Sequence, residues 1–178
     1  MRIFLIGMPG AGKSYWGSLL STQLIMPFFD LDEEIEKAEG MTIPYIFEKY
    51  GEAHFRALER QYLEELTTLD PAIIATGGGT PVFFDNINWI NKKGVSIFIN
   101  TPVHIIAKRL KQQDPTLRPL LQAHSDNLED FLQQLLEDRK PYYKQAKLHV
   151  DSLPENAAEM AAIVLKYLDE NPHLSSAY

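Results

Sequence analysis

Short apolar runs alternate along this chain with longer stretches in which apolar residues recur every three or four positions. The short runs predict strands at 2–6, 28–31, 72–75, 95–100 and 148–150, because unbroken apolar segments of this length suit strands covered on both faces. The longer stretches predict helices at 13–24, 32–39, 43–49, 52–68, 84–92, 102–112, 126–145 and 154–169. Such alternation implies an α/β fold, a parallel sheet between two layers of helices. Ligands of such sheets gather beyond the carboxyl ends of the strands. Residues just past each strand are therefore the first place to look for chemistry. The stretch 115–125 has little pattern and reads as a mobile loop between two helices, and 171–178 reads as a frayed tail. No internal repeat or low-complexity segment interrupts the pattern, so residues 1–178 read as one domain.

The first strand runs straight into Gly7-Met-Pro-Gly-Ala-Gly-Lys-Ser14, the pattern G-x-x-x-x-G-K-S followed by a helix. Strand, loop and helix in that order make a phosphate-binding loop. Backbone N–H groups and the helix N-terminus offer partial positive charge to phosphate oxygens. Gly10, Ala11, Gly12, Lys13, Ser14 and Tyr15 form the candidate nucleotide-binding segment. Lys13 reaches for the β- and γ-phosphates, and the Ser14 hydroxyl is a candidate Mg²⁺ ligand.

Four further groups follow. Asp30 and Asp32 flank Leu31 after the second strand, and alternation in an extended segment would point both the same way. One can serve the metal and the other can accept a hydrogen bond from a hydroxyl to be phosphorylated, although both also suit a helix start. Arg56 and Glu59 share a helix face, as an exposed ion pair or as an oriented guanidinium that grips a carboxylate. Gly77, Gly78 and Gly79 follow the third strand directly, and three consecutive glycines make sense where a ligand approaches the backbone. Arg118 and Arg139 are two further cations, one in the loop and one near the end of a long helix, where it would also suit the helix dipole.

Composition narrows the classes. The net charge of -7 argues against a general nucleic-acid binder. The chain has no cysteine, which excludes disulfides and thiolate metal sites and fits a cytoplasmic protein. No apolar run reaches the ~20 residues of a membrane helix. The five histidines show no metal spacing.

Taken in order, G-x-x-G-x-G-K-S at 7–14, D-x-D at 30–32, F-R-x-x-E at 55–59, G-G-G at 77–79, R-P-L-L at 118–121 and R-x-P-x-Y at 139–143 resemble the shikimate kinases over nearly the whole chain. The resemblance implies a three-layer α/β/α sandwich with a five-stranded parallel sheet of the P-loop kinase type. It implies transfer of the ATP γ-phosphoryl group to the 3-hydroxyl of shikimate, on the route to chorismate and the aromatic amino acids, by a monomer using Mg²⁺. Carried over, Asp32 is similar to the ligand and possible base for the substrate hydroxyl. Arg56, oriented by Glu59, and Arg139 are similar to the pair that grips the carboxylate, and Gly78 to a backbone donor toward the ring hydroxyls. Arg118 is similar to a lid arginine on the ATP phosphates, in a lid spanning about 112–125. Ser14 is similar to the metal ligand, with Asp30 near the metal through water. A cation near the adenine corresponds to Lys108, Arg109 or Lys111. The rival readings are another small-molecule kinase of this fold, such as a gluconate kinase, and a nucleotide-binding regulator without transfer activity.

Overall fold

The computed structural model describes residues 1–112, 127–172 and 174. Five parallel strands, β1 (Arg2–Ile6), β2 (Phe28–Asp30), β3 (Ala72–Ala75), β4 (Val95–Ile99) and β5 (Leu148–Val150), lie in the order β2-β3-β1-β4-β5. The three central strands are buried almost throughout, while β2 and β5 at the edges are partly exposed. That difference explains why the central runs are continuously apolar. Pairing of Ile3 with Ile73 and Val95 sets β1 in the middle, with Leu5 opposite Ala75 and Ile97. The chain leaves β1 toward β2 and β3, and later crosses to β4 and β5 on the other side. The carboxyl end of β1 is thus the topological switch point, where such sheets bind ligands.

Among the described residues seven helices accompany the strands: α1 (Lys13–Leu24), α2 (Leu31–Glu39), α3 (Ile43–Leu66), α4 (Asn86–Lys93), α5 (Val103–Lys111), α6 (Leu128–Tyr143) and α7 (Ala157–Glu170). Parallel crossovers are right-handed. The β1–α1–β2 unit runs opposite to the units holding α3, α4 and α5–α6, so α1 takes one face and the others take the second. α7 packs on α1, and α6 packs on α5. The three-layer arrangement follows.

The element boundaries differ from the sequence expectations for identifiable reasons. The second strand stops at Asp30, because the Asp30 side chain caps α2 by accepting the Asp32 N–H at 3.1 Å. Helices expected at 43–49 and 52–68 form one element broken at Gly51, whose φ of 80° and ψ of 170° favour glycine strongly. That element ends at Leu66, where the Thr67 and Thr68 hydroxyls donate to the Glu64 and Glu65 carbonyls. The helix expected from 84 begins at Asn86, since Thr80–Val82 forms a 3-10 turn and Phe84 has a φ of 52°. The helix expected from 154 begins after Asn156, whose side chain accepts the Glu159 N–H at 3.0 Å. Among the described residues no helix is long and apolar enough to cross a membrane.

Candidate active site

The phosphate loop lies at the switch point. Gly12 ends it with φ 97°, a left-handed conformation that suits glycine, and α1 starts at the next residue. Gly12 has no side chain with which to cap α1, so the first-turn N–H groups stay available to an anion. Lys13 is buried, and its Nζ donates to the carbonyls of Gly7 at 3.0 Å and Met8 at 2.9 Å. These bonds hold the ammonium against the loop. The Ala11 carbonyl accepts from Thr101 Oγ1 at 2.8 Å and Arg109 Nη1 at 3.1 Å, which tie the loop to the β4–α5 connection. Of the three cations left open by sequence, Arg109 is the one on the loop, while Lys108 and Lys111 are exposed. Tyr15 is 62% exposed and meets Trp16 edge to face.

The two aspartates diverge. Asp30 Oδ2 accepts from the Ser14 hydroxyl at 2.5 Å, while its other oxygen caps α2. Asp32 belongs to the first turn of α2 and not to an extended segment, so strand alternation does not orient it. Its carboxylate reaches the glycine loop, where Oδ1 stands 2.9 Å from the position a Cβ on Gly77 would occupy. One acid therefore meets the phosphate loop and the other the glycine loop.

The triple glycine is where the site closes up. A Cβ on Gly77 would lie 2.6 Å from Glu59 Oε1, one on Gly78 2.6 Å from Pro9 Cδ, and one on Gly79 2.8 Å from Arg56 Nη1. The protein's own side chains press onto this backbone, a closer reason for three glycines than ligand approach alone. Pro9 brings the phosphate loop into the same contact.

Arg56 and Glu59 are both buried, which rules out a solvated surface pair. Arg56 Nη1 donates to Glu59 Oε2 at 3.3 Å, and Nε and Nη2 donate to Glu52 Oε1 at 3.2 and 2.9 Å. Its guanidinium lies 4.0 Å from the centre of the Phe83 ring, with Phe55 and Phe47 beside it. Burial raises the Glu59 carboxyl above the usual carboxylate range, opposed by the Thr80 hydrogen bond and by the charges of Arg56 and Arg139. Arg139, on α6, thus adds its positive charge to the field at Glu59. Its neighbour Tyr143 is fully buried and donates to the Gly78 carbonyl at 2.6 Å.

Sequence reasoning missed Thr80, Glu52 and Phe83, and it noted Tyr143 only as the last residue of R-x-P-x-Y, without a role. Of the first three, Glu52 alone carried a local signal, standing four residues before Arg56 on the same helix face. Arg118, Gln113 and Asp114 lie outside the described residues, as does the expected lid apart from Gln112. Among the described residues no three His, Cys, Asp or Glu side chains cluster to hold a metal. Ser14 and Asp30 nevertheless offer adjacent hard oxygens of the kind Mg²⁺ prefers, and nucleotide phosphates and water complete such sites.

Comparison with known proteins identifies a family. The family model described as shikimate kinase matches residues 9–169. The shikimate kinase of Aquifex aeolicus is 42% identical over 150 residues, covering 84% of this chain and 86% of that protein. The solved shikimate kinase of Acinetobacter baumannii, in complex with shikimate, superposes with a TM-score of 0.86 at 36% identity, covering 96% of this chain and 93% of that one. A gluconokinase of Sinorhizobium meliloti shares the fold alone, with a TM-score of 0.57 at 18% identity, covering 98% of this chain and 97% of that one.

Proposed function

Because the chain belongs to the shikimate kinase family, we propose that it transfers the γ-phosphoryl group of ATP to the 3-hydroxyl of shikimate, giving shikimate 3-phosphate and ADP. The observation that carries the assignment of residues is the meeting of Asp32, Glu59 and Arg56 on the Gly77–Gly79 backbone, directly against Pro9 of the phosphate loop. An acceptor bound there lies next to the nucleotide.

In this reading the loop N–H groups and Lys13 cradle the β- and γ-phosphates. Ser14 and Asp30 would hold Mg²⁺, which would neutralise phosphate charge. Arg109 flanks the base side of the loop, and Tyr15 lies at its outer edge. Arg118 is the proposed lid contact to the phosphates. Arg56 and Arg139 bind the carboxylate of shikimate, and glycine backbone groups around Gly78 meet its hydroxyls. Glu52 and Glu59 fix the Arg56 fork, and Phe83 covers one of its faces. Asp32 accepts the proton of the 3-hydroxyl as its oxygen bonds to the γ-phosphorus. The bond from that phosphorus to the β–γ bridging oxygen breaks, and ADP leaves. Positioning and charge neutralisation supply most of the acceleration. The protein acts as a monomeric, single-domain cytoplasmic enzyme with no role for nucleic acid or membrane.

The carboxylate grip is tested with shikimate and its methyl ester as acceptors in an ADP-release assay. A large loss of kcat/KM with the ester supports the roles of Arg56 and Arg139. Equal use of acid and ester would remove them.

A further inference from the structure

Tyr143 has a hydroxyl that packing does not require. Its ring stacks on Phe98 with centroids 5.1 Å apart, a contact a phenylalanine would make equally well. A buried phenol is unfavourable unless its hydroxyl finds a partner. The Tyr143 hydroxyl donates to the Gly78 carbonyl at 2.6 Å and lies 3.9 Å from the Met8 sulfur of the phosphate loop. Burial pushes the phenol up to about 12, opposed by the charge and hydrogen bonding of Arg139 one turn earlier on α6. The hydroxyl thus stays protonated and able to donate at any working pH.

We propose that Tyr143 is a positioning residue for the acceptor, whose hydroxyl anchors the Gly78 backbone to α6, the helix that also carries Arg139, and holds the two halves of the acid-binding site at a fixed spacing. Peptide planarity carries the effect further. Fixing the Gly78 carbonyl also fixes the Gly79 N–H in the same plane, antiparallel to it. Gly79 is the residue on which the Arg56 guanidinium rests. A run of three glycines has no side chains to restrain those planes, so an external anchor is needed. One hydroxyl therefore ties the glycine loop to the helix that carries Arg139, and reaches the seat of Arg56 through one peptide unit.

This proposal rests on the shikimate kinase reading and is tested by steady-state kinetics on Tyr143→Phe, Arg139→Lys and the double variant, with melting temperatures alongside. Tyr143→Phe keeps the ring and removes the hydroxyl. The expected result is a rise of about tenfold in the shikimate KM, with ATP KM and kcat changed less than about twofold. The double variant should show less than the product of the two single effects, because both changes act on the same acid-binding site. A lowered melting temperature with an unchanged shikimate KM would reduce Tyr143 to packing and overturn the proposal. So would equal rises in both KM values, or effects that simply multiply. Absence of shikimate-dependent ADP release in the unsubstituted protein would instead overturn the functional reading, before any variant is compared, and this proposal with it.

Discussion

Arg56 Nη1 stands 2.8 Å from the point where a Cβ on Gly79 would sit. The guanidinium is held there from three other directions, by Glu52, Glu59 and the Phe83 ring. Gly79→Ala therefore has nowhere to put its methyl group without moving Arg56. Such crowding costs about 1–3 kcal/mol in a packed site. The variant should fold with a lowered melting temperature and bind shikimate roughly tenfold more weakly, while its ATP KM is kept. Isothermal titration with each ligand separately checks both halves, and unchanged shikimate affinity would mean that Arg56 does not contact the acceptor.

Asp32 offers a sharper test of chemistry. Its carboxylate lies beside Gly77, whereas the Asp30 carboxylate holds the Ser14 hydroxyl. Asp32→Asn keeps the size and removes the proton acceptor. If the group takes the hydroxyl proton, kcat falls by about 10²–10⁴ with a modest change in shikimate KM. Near-normal kcat would remove the base role.

Gly51 makes a prediction about stability alone. An added Cβ would meet nothing within 4 Å, yet the backbone sits at φ 80°. Gly51→Ala should therefore cost about 1–3 kcal/mol through backbone strain and not through a clash. Chemical denaturation gives the value, and no loss would show that the break in α3 can relax.

The Tyr143 phenol has a pH signature. Its value rises from 10.0 in the free side chain to about 12 in the folded protein. The folded state therefore holds this proton more tightly than the unfolded chain does. Its contribution to stability is fully present below pH 10 and is lost as the pH rises toward 12. The slope in that window is about 1.4 kcal/mol per pH unit for one group. Tyr143→Phe should lack this component, so the stability curves of the two proteins should converge between pH 10 and 12. Parallel curves would contradict a buried, hydrogen-bonded phenol.

What could be read from sequence was what lies close together along the chain. The phosphate-loop motif occupies eight consecutive residues, running from the end of an unbroken apolar strand into the first turn of a helix. The Arg56–Glu59 pair was visible from its spacing. Its burial was not, because Phe83 and Gly79 come from a segment more than twenty residues later. The tie from Tyr143 to Gly78 spans 65 residues and leaves no local trace. Arg109 could not be told from Lys108 and Lys111, since only packing decides which face of α5 meets the loop. The orientation of Asp32 was argued from an extended backbone, and the cap made by Asp30 turned that backbone into helix one residue early.

The central claim is that the acceptor site beside the phosphate loop takes shikimate. ADP release from MgATP, followed with and without shikimate in the unsubstituted protein and in Lys13→Ala, tests it most directly. The account predicts a large shikimate-dependent rate that falls by at least about 10²–10³ in Lys13→Ala, as expected when a charge that stabilises the transferring phosphoryl group is removed. A folded, ATP-binding protein whose ADP release is the same with and without shikimate would contradict it.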